Sequence, residues 1–258
     1  MKKIKKIQFN KYFQRIFFQL ARMYRFNVIA ENEKGHSQQK HVSAVEILVG
    51  DPKLVEIHSS WPEDEQPELR AAALRGMQVL PDFVSEDEET ALLAELEPVL
   101  KRMRYEFDHW DNAIQGFRET ERSKWSPLSA GVVARMRGVF PRAGADAALL
   151  PHAHVLDLAA AGHIKPHVDA VRFCGGVIAG LCLLSDAVMR LQHETHQHLG
   201  LDALLKRRAL YVMSGVSRYE FTHAVLGGED SAWRGRRLPR RRRVAVILRS
   251  PPRPGDRA

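Results

Sequence analysis

The segment His163-Ile164-Lys165-Pro166-His167-Val168-Asp169 sets an imidazole and a carboxylate two residues apart, and Tyr219-Glu220-Phe221-Thr222-His223 supplies another imidazole further along. Side chains two apart on a β-strand point the same way, so His167 and Asp169 would share a face. Two imidazoles and one carboxylate make the facial triad that holds non-heme Fe(II) and leaves coordination positions open. Those positions suit a keto acid and dioxygen. The later run Arg243-Val244-Ala245-Val246-Ile247-Leu248-Arg249 offers two guanidinium groups at even spacing, again on one strand face. Guanidinium forks bind carboxylates in bidentate fashion. The chemistry these residues imply is that of an oxygenase using Fe(II) and 2-oxoglutarate.

Each residue has competitors. His109-Trp110-Asp111 repeats the His-x-Asp pattern, but in an irregular stretch between two expected helices. For the third ligand, His193, His196 and His198 rival His223. Their run reads as an exposed loop and lacks the His-Glu-x-x-His spacing of a zinc protease helix. His223 is preferred because its strand face, with Tyr219, Phe221 and Val225, is otherwise apolar and should point inward. Arg243 and Arg249 stand in a crowd with Arg236, Arg237, Arg240, Arg241 and Arg242, most of which a solvated basic face explains. Six residues of strand span roughly 20 Å, longer than a five-carbon diacid, so both side chains must lean inward or the strand must bend.

The elements that must position these groups follow from periodicity. Ser85-Glu86-Asp87-Glu88 forms a capping box, and Leu92, Leu96, Val99, Leu100 and Met103 recur at helical spacing behind it, with Pro98 as a kink or break. A second helix is expected from about Leu128 to Phe140, stopped by Pro141. Strands are expected at His154–Leu158, His163–Asp169, Val177–Leu184, Val188–Glu194, Ala209–Met213, Tyr219–Val225 and Arg242–Arg249. Ala161-Gly162, Ser214-Gly215 and Gly227-Gly228 punctuate them. Many short strands in one block, with helices as buttresses, give a mainly β class and a double-stranded β-helix, or jelly roll. A strand-like piece also stands at residues 45–49.

The composition is that of a globular chain: 258 residues, 45% of them hydrophobic. The net charge of +8 hides an uneven layout, acidic between Glu63 and Glu97 and arginine-rich from Arg234 onward. That permits contact with nucleic acid or an anionic membrane without establishing either. Cys174 and Cys182 lie in an apolar stretch and offer no disulfide framework. No apolar run approaches the roughly 18 residues of a membrane span. From Met1 to Ala30 there is no acidic residue, and lysines and arginines are interleaved with Ile4, Ile7, Phe13, Ile16, Phe17 and Leu20. Such basic amphipathic segments direct import into mitochondria, although this one is Lys-rich and free of serine.

His167-x-Asp169, His223 and Arg243-x5-Arg249 resemble the AlkB family of Fe(II)/2-oxoglutarate dioxygenases. Residues 105–111, 116–121, 154–158 and 164–169 resemble more narrowly a mitochondrial mammalian member of that family. The resemblance implies Fe(II) ligation by His167, Asp169 and His223, and binding of 2-oxoglutarate by Tyr211, Arg243 and Arg249. The arginine that takes each carboxylate is left open. Leu156-Asp157-Leu158 stands where repair members carry Asn-x-Tyr, which speaks against direct nucleic-acid repair. The expected layout is an N-terminal extension over residues 1–78, partly disordered and carrying a targeting segment, a dioxygenase domain over 79–250, and a disordered tail over 251–258. The implied function is hydroxylation of a protein substrate in the mitochondrial matrix, in stress, programmed necrosis or fatty-acid metabolism. Demethylation of RNA is an alternative, as are a non-enzymatic metal-binding module and a cytoplasmic location.

Overall fold

Alternating side chains on the arginine-flanked strand set the two faces of the molecule. Val244, Val246 and Leu248 pack outward beneath helices, whereas Ala245 and Ile247 join the inner core. The computed structural model describes residues 48–144 and 149–252. The first half comprises β1 (Val55–Ile57), α1 (Pro67–Gly76), β2 (Met77–Leu80), α2 (Glu86–Leu100), β3 (Ile114–Arg122) and α3 (Pro127–Arg137). The second half runs through β4 (Ala153–His167), β5 (Val177–Leu183), β6 (Ala187–His193), β7 (Gly200–Leu205), β8 (Leu210–Ser214) and α4 (Gly215–Tyr219). It ends with β9 (Phe221–Val225), β10 (Ala232–Trp233), β11 (Arg236–Arg237) and β12 (Arg243–Arg249).

The main sheet runs β1-β7-β6-β9-β4-β12-β5-β8-β2, with β3 also paired to β4, and β10 and β11 form a separate ribbon. β4 joins the two halves of this sheet. Its first part, His154–Leu158, is antiparallel to β12, while Ile164 and His167 pair with Val225 and His223 of β9 after a register shift. The small residues Ala159, Ala160, Ala161 and Gly162 occupy the changeover. A Cβ on Gly162 would meet the carbonyl oxygen of Gly116 at 2.5 Å, so only glycine lets β3 approach there. Across this corner the halves face each other as a double-stranded β-helix. Leu156, Ile178 and Met213 from one half share an inner core with Met189, Leu191 and Phe221 from the other.

Two helices, α2 and α3, cover the outer face of the β12 half. α2 begins in the expected capping box: Glu88 N–H donates to Ser85 Oγ at 3.1 Å, and Ser85 N–H donates to the Glu88 carboxylate at 2.9 Å. Leu92, Leu96 and Leu100 of α2 and Val132, Val133 and Met136 of α3 then pack on Val155, Leu181 and Val246. Each fully buried side chain of this size contributes about 1.5–3 kcal/mol.

Several boundaries differ from the sequence expectation. α2 passes unbroken through Pro98 and ends at Leu100, so Met103 lies beyond it, and α3 stops at Arg137 rather than Phe140. His154–Leu158 and His163–Asp169 are one strand that ends at His167, so Asp169 lies in the following coil. Tyr219 closes helix α4 and does not share the strand of His223. β1 and β2 pair with β7 and β8, so the sheet takes in segments ahead of Val79. The import segment at residues 1–30, residues 45–47 of the strand-like piece and residues 253–258 of the tail lie outside the described residues, while Leu48 and Val49 are not in a strand.

Candidate metal centre

The triad forms at the mouth of the folded sheet. Cross-strand pairing sets His167 opposite His223, with ring centroids 4.3 Å apart. His167 Nδ1 lies 2.9 Å from the Lys165 carbonyl oxygen. A carbonyl only accepts, so Nδ1 carries a proton. Burial opposes a second proton, but Asp169 beside Nε2 holds the imidazole above its ordinary pKa, so a cation would compete with a proton there. Although Asp169 has left the strand, its Oδ1 lies 3.2 Å from His167 Nε2 and 3.6 Å from His223 Nε2. The three ligand atoms lie within 4.8 Å of one another, the one such cluster among the described residues.

Electrostatics fit these groups to a cation. Burial pushes His223 down to about 3 against the pull of Asp169, so its imidazole is neutral, and its Nδ1 is buried without a partner. Burial would raise the Asp169 carboxyl, but Arg249 and the two histidines hold it well below the usual range. Arg249 Nε donates to Asp169 Oδ2 at 3.0 Å, leaving Oδ1 turned to the imidazoles. Two imidazole nitrogens and one ionised carboxylate oxygen within reach of one point are the donor set of a non-heme iron site. The residues present fit the metal.

Behind the triad lies a cavity lined by His167, Asp169, His223, Tyr211, Arg243 and Arg249, together with Ile114, Leu156, Ile164, Met189 and Val225. Arg243 is 2% exposed, donates to Cys182 Sγ at 3.2 Å and leaves Nε without a partner. No carboxylate among the described residues pairs with it. Neighbouring Arg240 is pushed down to about 10 by burial and then by Arg243. Buried cations without a counter-ion are costly, and an anionic ligand would relieve this one. Tyr211 is carried opposite Gly180, where a Cβ would meet its ring at 2.3 Å. Burial raises its phenol to about 12, so it stays a neutral hydroxyl.

All six residues expected at the site therefore line one cavity. The two arginines project from the ends of β12, Arg249 toward the triad and Arg243 toward Tyr211 and Cys182, which answers the problem of their separation. The rival histidines lie elsewhere. His193 Nδ1 lies 3.3 Å from Thr195 N and 3.2 Å from His196 N, and His198 Nε2 lies 2.8 Å from Glu65. Arg242 points outward to Asp157 and Glu97, and Arg236 and Arg237 are exposed on β11.

Sequence reasoning passed over the layer behind the triad: His154, Glu119 and Cys174, whose Sγ lies 3.7 Å from Asp169 Oδ2. The pair His109 and Asp111, set aside as a competitor for the metal, also belongs to it: His109 meets Asp111 on one side and lies 3.6 Å from Glu119 on the other. One signal was available, since His154 has the parity of inward-facing Leu156 and Leu158.

No family model matches the chain. Over 174 residues it is 51% identical to "Alpha-ketoglutarate-dependent dioxygenase alkB homolog 7, mitochondrial" of Mus musculus, covering 67% of this chain and 78% of that protein. The Bos taurus protein of the same name is 49% identical over 186 residues, covering 70% of this chain and 83% of its own length. Among solved structures, a prolyl hydroxylase from Trichoplax adhaerens in complex with a hypoxia inducible factor peptide is 10% identical with a TM-score of 0.51. It covers 75% of this chain and 96% of that one, and at this identity the likeness speaks to the fold alone.

Proposed function

The chain belongs to the AlkB family of Fe(II)/2-oxoglutarate dioxygenases, and from that membership we propose that it hydroxylates an aliphatic position of a mitochondrial protein. In this reading His167, Asp169 and His223 hold the iron, and Tyr211, Arg243 and Arg249 hold 2-oxoglutarate. Iron bound there supplies the family's chemistry, in which 2-oxoglutarate and dioxygen give succinate and carbon dioxide while an oxygen atom enters a substrate C–H bond.

The chain's own residues prepare the site. The Lys165 carbonyl fixes the His167 tautomer, burial keeps His223 unprotonated, and Arg249 keeps Asp169 ionised. Arg243, lacking a counter-ion and close to the Tyr211 hydroxyl, takes the carboxylate far from the metal. Arg249, beside Asp169, takes the end near it.

The observation that carries the substrate class is the cavity lining. 2-Oxoglutarate takes the end with Tyr211, Arg243 and Arg249; beside the triad the lining left for a substrate is apolar, with Ile114, Ile164, Met189 and Val225. A flipped base is read by hydrogen bonds to its Watson–Crick edge and by stacking. This lining has neither the amide groups nor the aromatic walls for that, whereas it suits an aliphatic side chain. A second reading, demethylation of RNA, draws on Phe107 and Trp110, which are 65% and 61% exposed. Location in mitochondria follows the names of the relatives, and roles in stress, programmed necrosis or fatty-acid metabolism would lie downstream of the modified protein.

The test supplies Fe(II), 2-oxoglutarate and oxygen with either a mitochondrial protein fraction or a methylated RNA oligonucleotide. Protein hydroxylation predicts succinate released above the uncoupled rate together with a 16 Da gain on a protein. Formaldehyde released in step with succinate from the RNA alone would replace this reading with the second.

A further inference from the structure

Behind Arg249 runs a line of polar side chains with no place in the triad. Arg249 Nη1 lies 3.1 Å from His154 Nδ1, and His154 Nε2 lies 2.9 Å from Glu119 Oε2. The other Glu119 oxygen lies 3.6 Å from His109 Nε2, and His109 Nδ1 meets Asp111, which in turn accepts the Ala113 N–H at 2.8 Å. The line thus crosses from β12 to β4 to β3 and reaches the segment leading into β3.

Donor and acceptor rules fix its inner end. A guanidinium only donates, so His154 Nδ1 must be bare, and a carboxylate only accepts, so Nε2 must carry the proton. Burial opposes the charge on Glu119, yet hydrogen bonds from His109 and His154 hold it well below the ordinary carboxylate range. Arg249 is therefore pinned at two points of its planar fork, Nε on Asp169 and Nη1 on His154. One edge, at Nη2, remains for a ligand. With His154 removed, the fork would be held at Nε alone and could turn.

We propose that His154, held in one tautomer by Glu119, is a positioning residue for Arg249 and through it sets how tightly the cavity holds 2-oxoglutarate. This rests on the reading of Arg249 as a cosubstrate ligand. A hydrogen bond to a charged group is of the size that changes affinity about tenfold.

The test is calorimetric titration of 2-oxoglutarate into the full chain loaded with Mn(II), without turnover. Wild type, His154→Leu, His154→Gln, Glu119→Gln and Arg249→Ala are compared, and Mn(II) affinity is measured separately. His154→Leu is expected to weaken 2-oxoglutarate about tenfold while Mn(II) affinity stays within about threefold. His154→Gln, with a carbonyl for Arg249 and an N–H for Glu119, should recover most of the loss. Glu119→Gln, which no longer dictates the tautomer, should weaken binding about threefold and serves as the test if His154→Leu does not fold. If Arg249→Ala weakens binding while His154→Leu and Glu119→Gln match wild type, the role of His154 is overturned alone. If wild type binds no 2-oxoglutarate, the reading of the cavity falls and this role with it.

Discussion

Replacing Arg243 with methionine should abolish 2-oxoglutarate binding without destabilising the unliganded protein. Arg243 is 2% exposed, its Nε has no partner, and its Nη2 hydrogen bond is to the weak acceptor Cys182 Sγ. Removing the charge relieves a desolvation cost of several kcal/mol, and methionine keeps most of the aliphatic stem among Leu158, Cys182 and Ala245. Exchanges of buried charge for well-packed apolar side chains are neutral to stabilising by about 1–4 kcal/mol. For a domain of this size 1 kcal/mol moves Tm by about 2–4 °C. Thermal unfolding followed by circular dichroism, with and without 2-oxoglutarate in the presence of Mn(II), gives both quantities. Wild type should gain about 2.7 kcal/mol from ligand at one hundred times its Kd, and Arg243→Met should gain nothing. An unliganded variant with Tm well below wild type, or one still stabilised by ligand, would refute the reasoning that Arg243 is an anion site rather than a structural cation.

Further outcomes follow from the same geometry. His167→Ala should lower Fe(II) affinity by at least about a hundredfold and end succinate formation, as read by metal titration and product assay. Gly180→Ala drives a Cβ into the Tyr211 ring, at 2.3 Å from its Cε1. It should cost about 1–3 kcal/mol in urea unfolding and weaken 2-oxoglutarate, whereas wild-type behaviour in both would show that the ring has room. Burial resists the charge on Glu95, but Ser126 and Arg122 hold its carboxyl down to about 2 against an ordinary 4.5. Because the folded value is depressed, the stability it confers is present above pH 4.5 and is lost as pH falls toward 2. After allowance for solvent screening, Glu95→Gln should cost about 1 kcal/mol at pH 7 and nothing near pH 2 in paired denaturation curves.

The parts of the fold legible in the sequence are those in which local and tertiary signals agree. The capping box and leucine spacing of α2 specify one helix with one buried face, and the unbroken apolar run of β12 reads as a central strand buried on both faces. β3 was missed because Ile114–Arg122 is largely polar: it pairs with β4 and spends its charges on partners, Arg118 on Asp157 and Arg122 on Glu95. β7, Gly200–Leu205, is rich in leucine and alanine and has no alternation to read, since five of its six residues are buried. Its strand state comes from β6 and β1 on either side. His167 and Asp169 were chosen for sharing a strand face, yet Asp169 reaches the triad from the coil, held by Arg249. His-x-Asp spacing brought the right residues forward although the local geometry is different. Of the support from His154 and Glu119 only the parity of His154 was legible; their pairing depends on the register of β3 against β4, which no spacing within either strand reveals.

The most direct test of the central claim is anaerobic titration of the metal-free protein with Fe(II) and 2-oxoglutarate, watching for the weak visible charge-transfer band of the chelate. The proposed site predicts a band that needs both additions and is absent in Asp169→Ala. No band in folded wild type, or an undiminished band in Asp169→Ala, would contradict it.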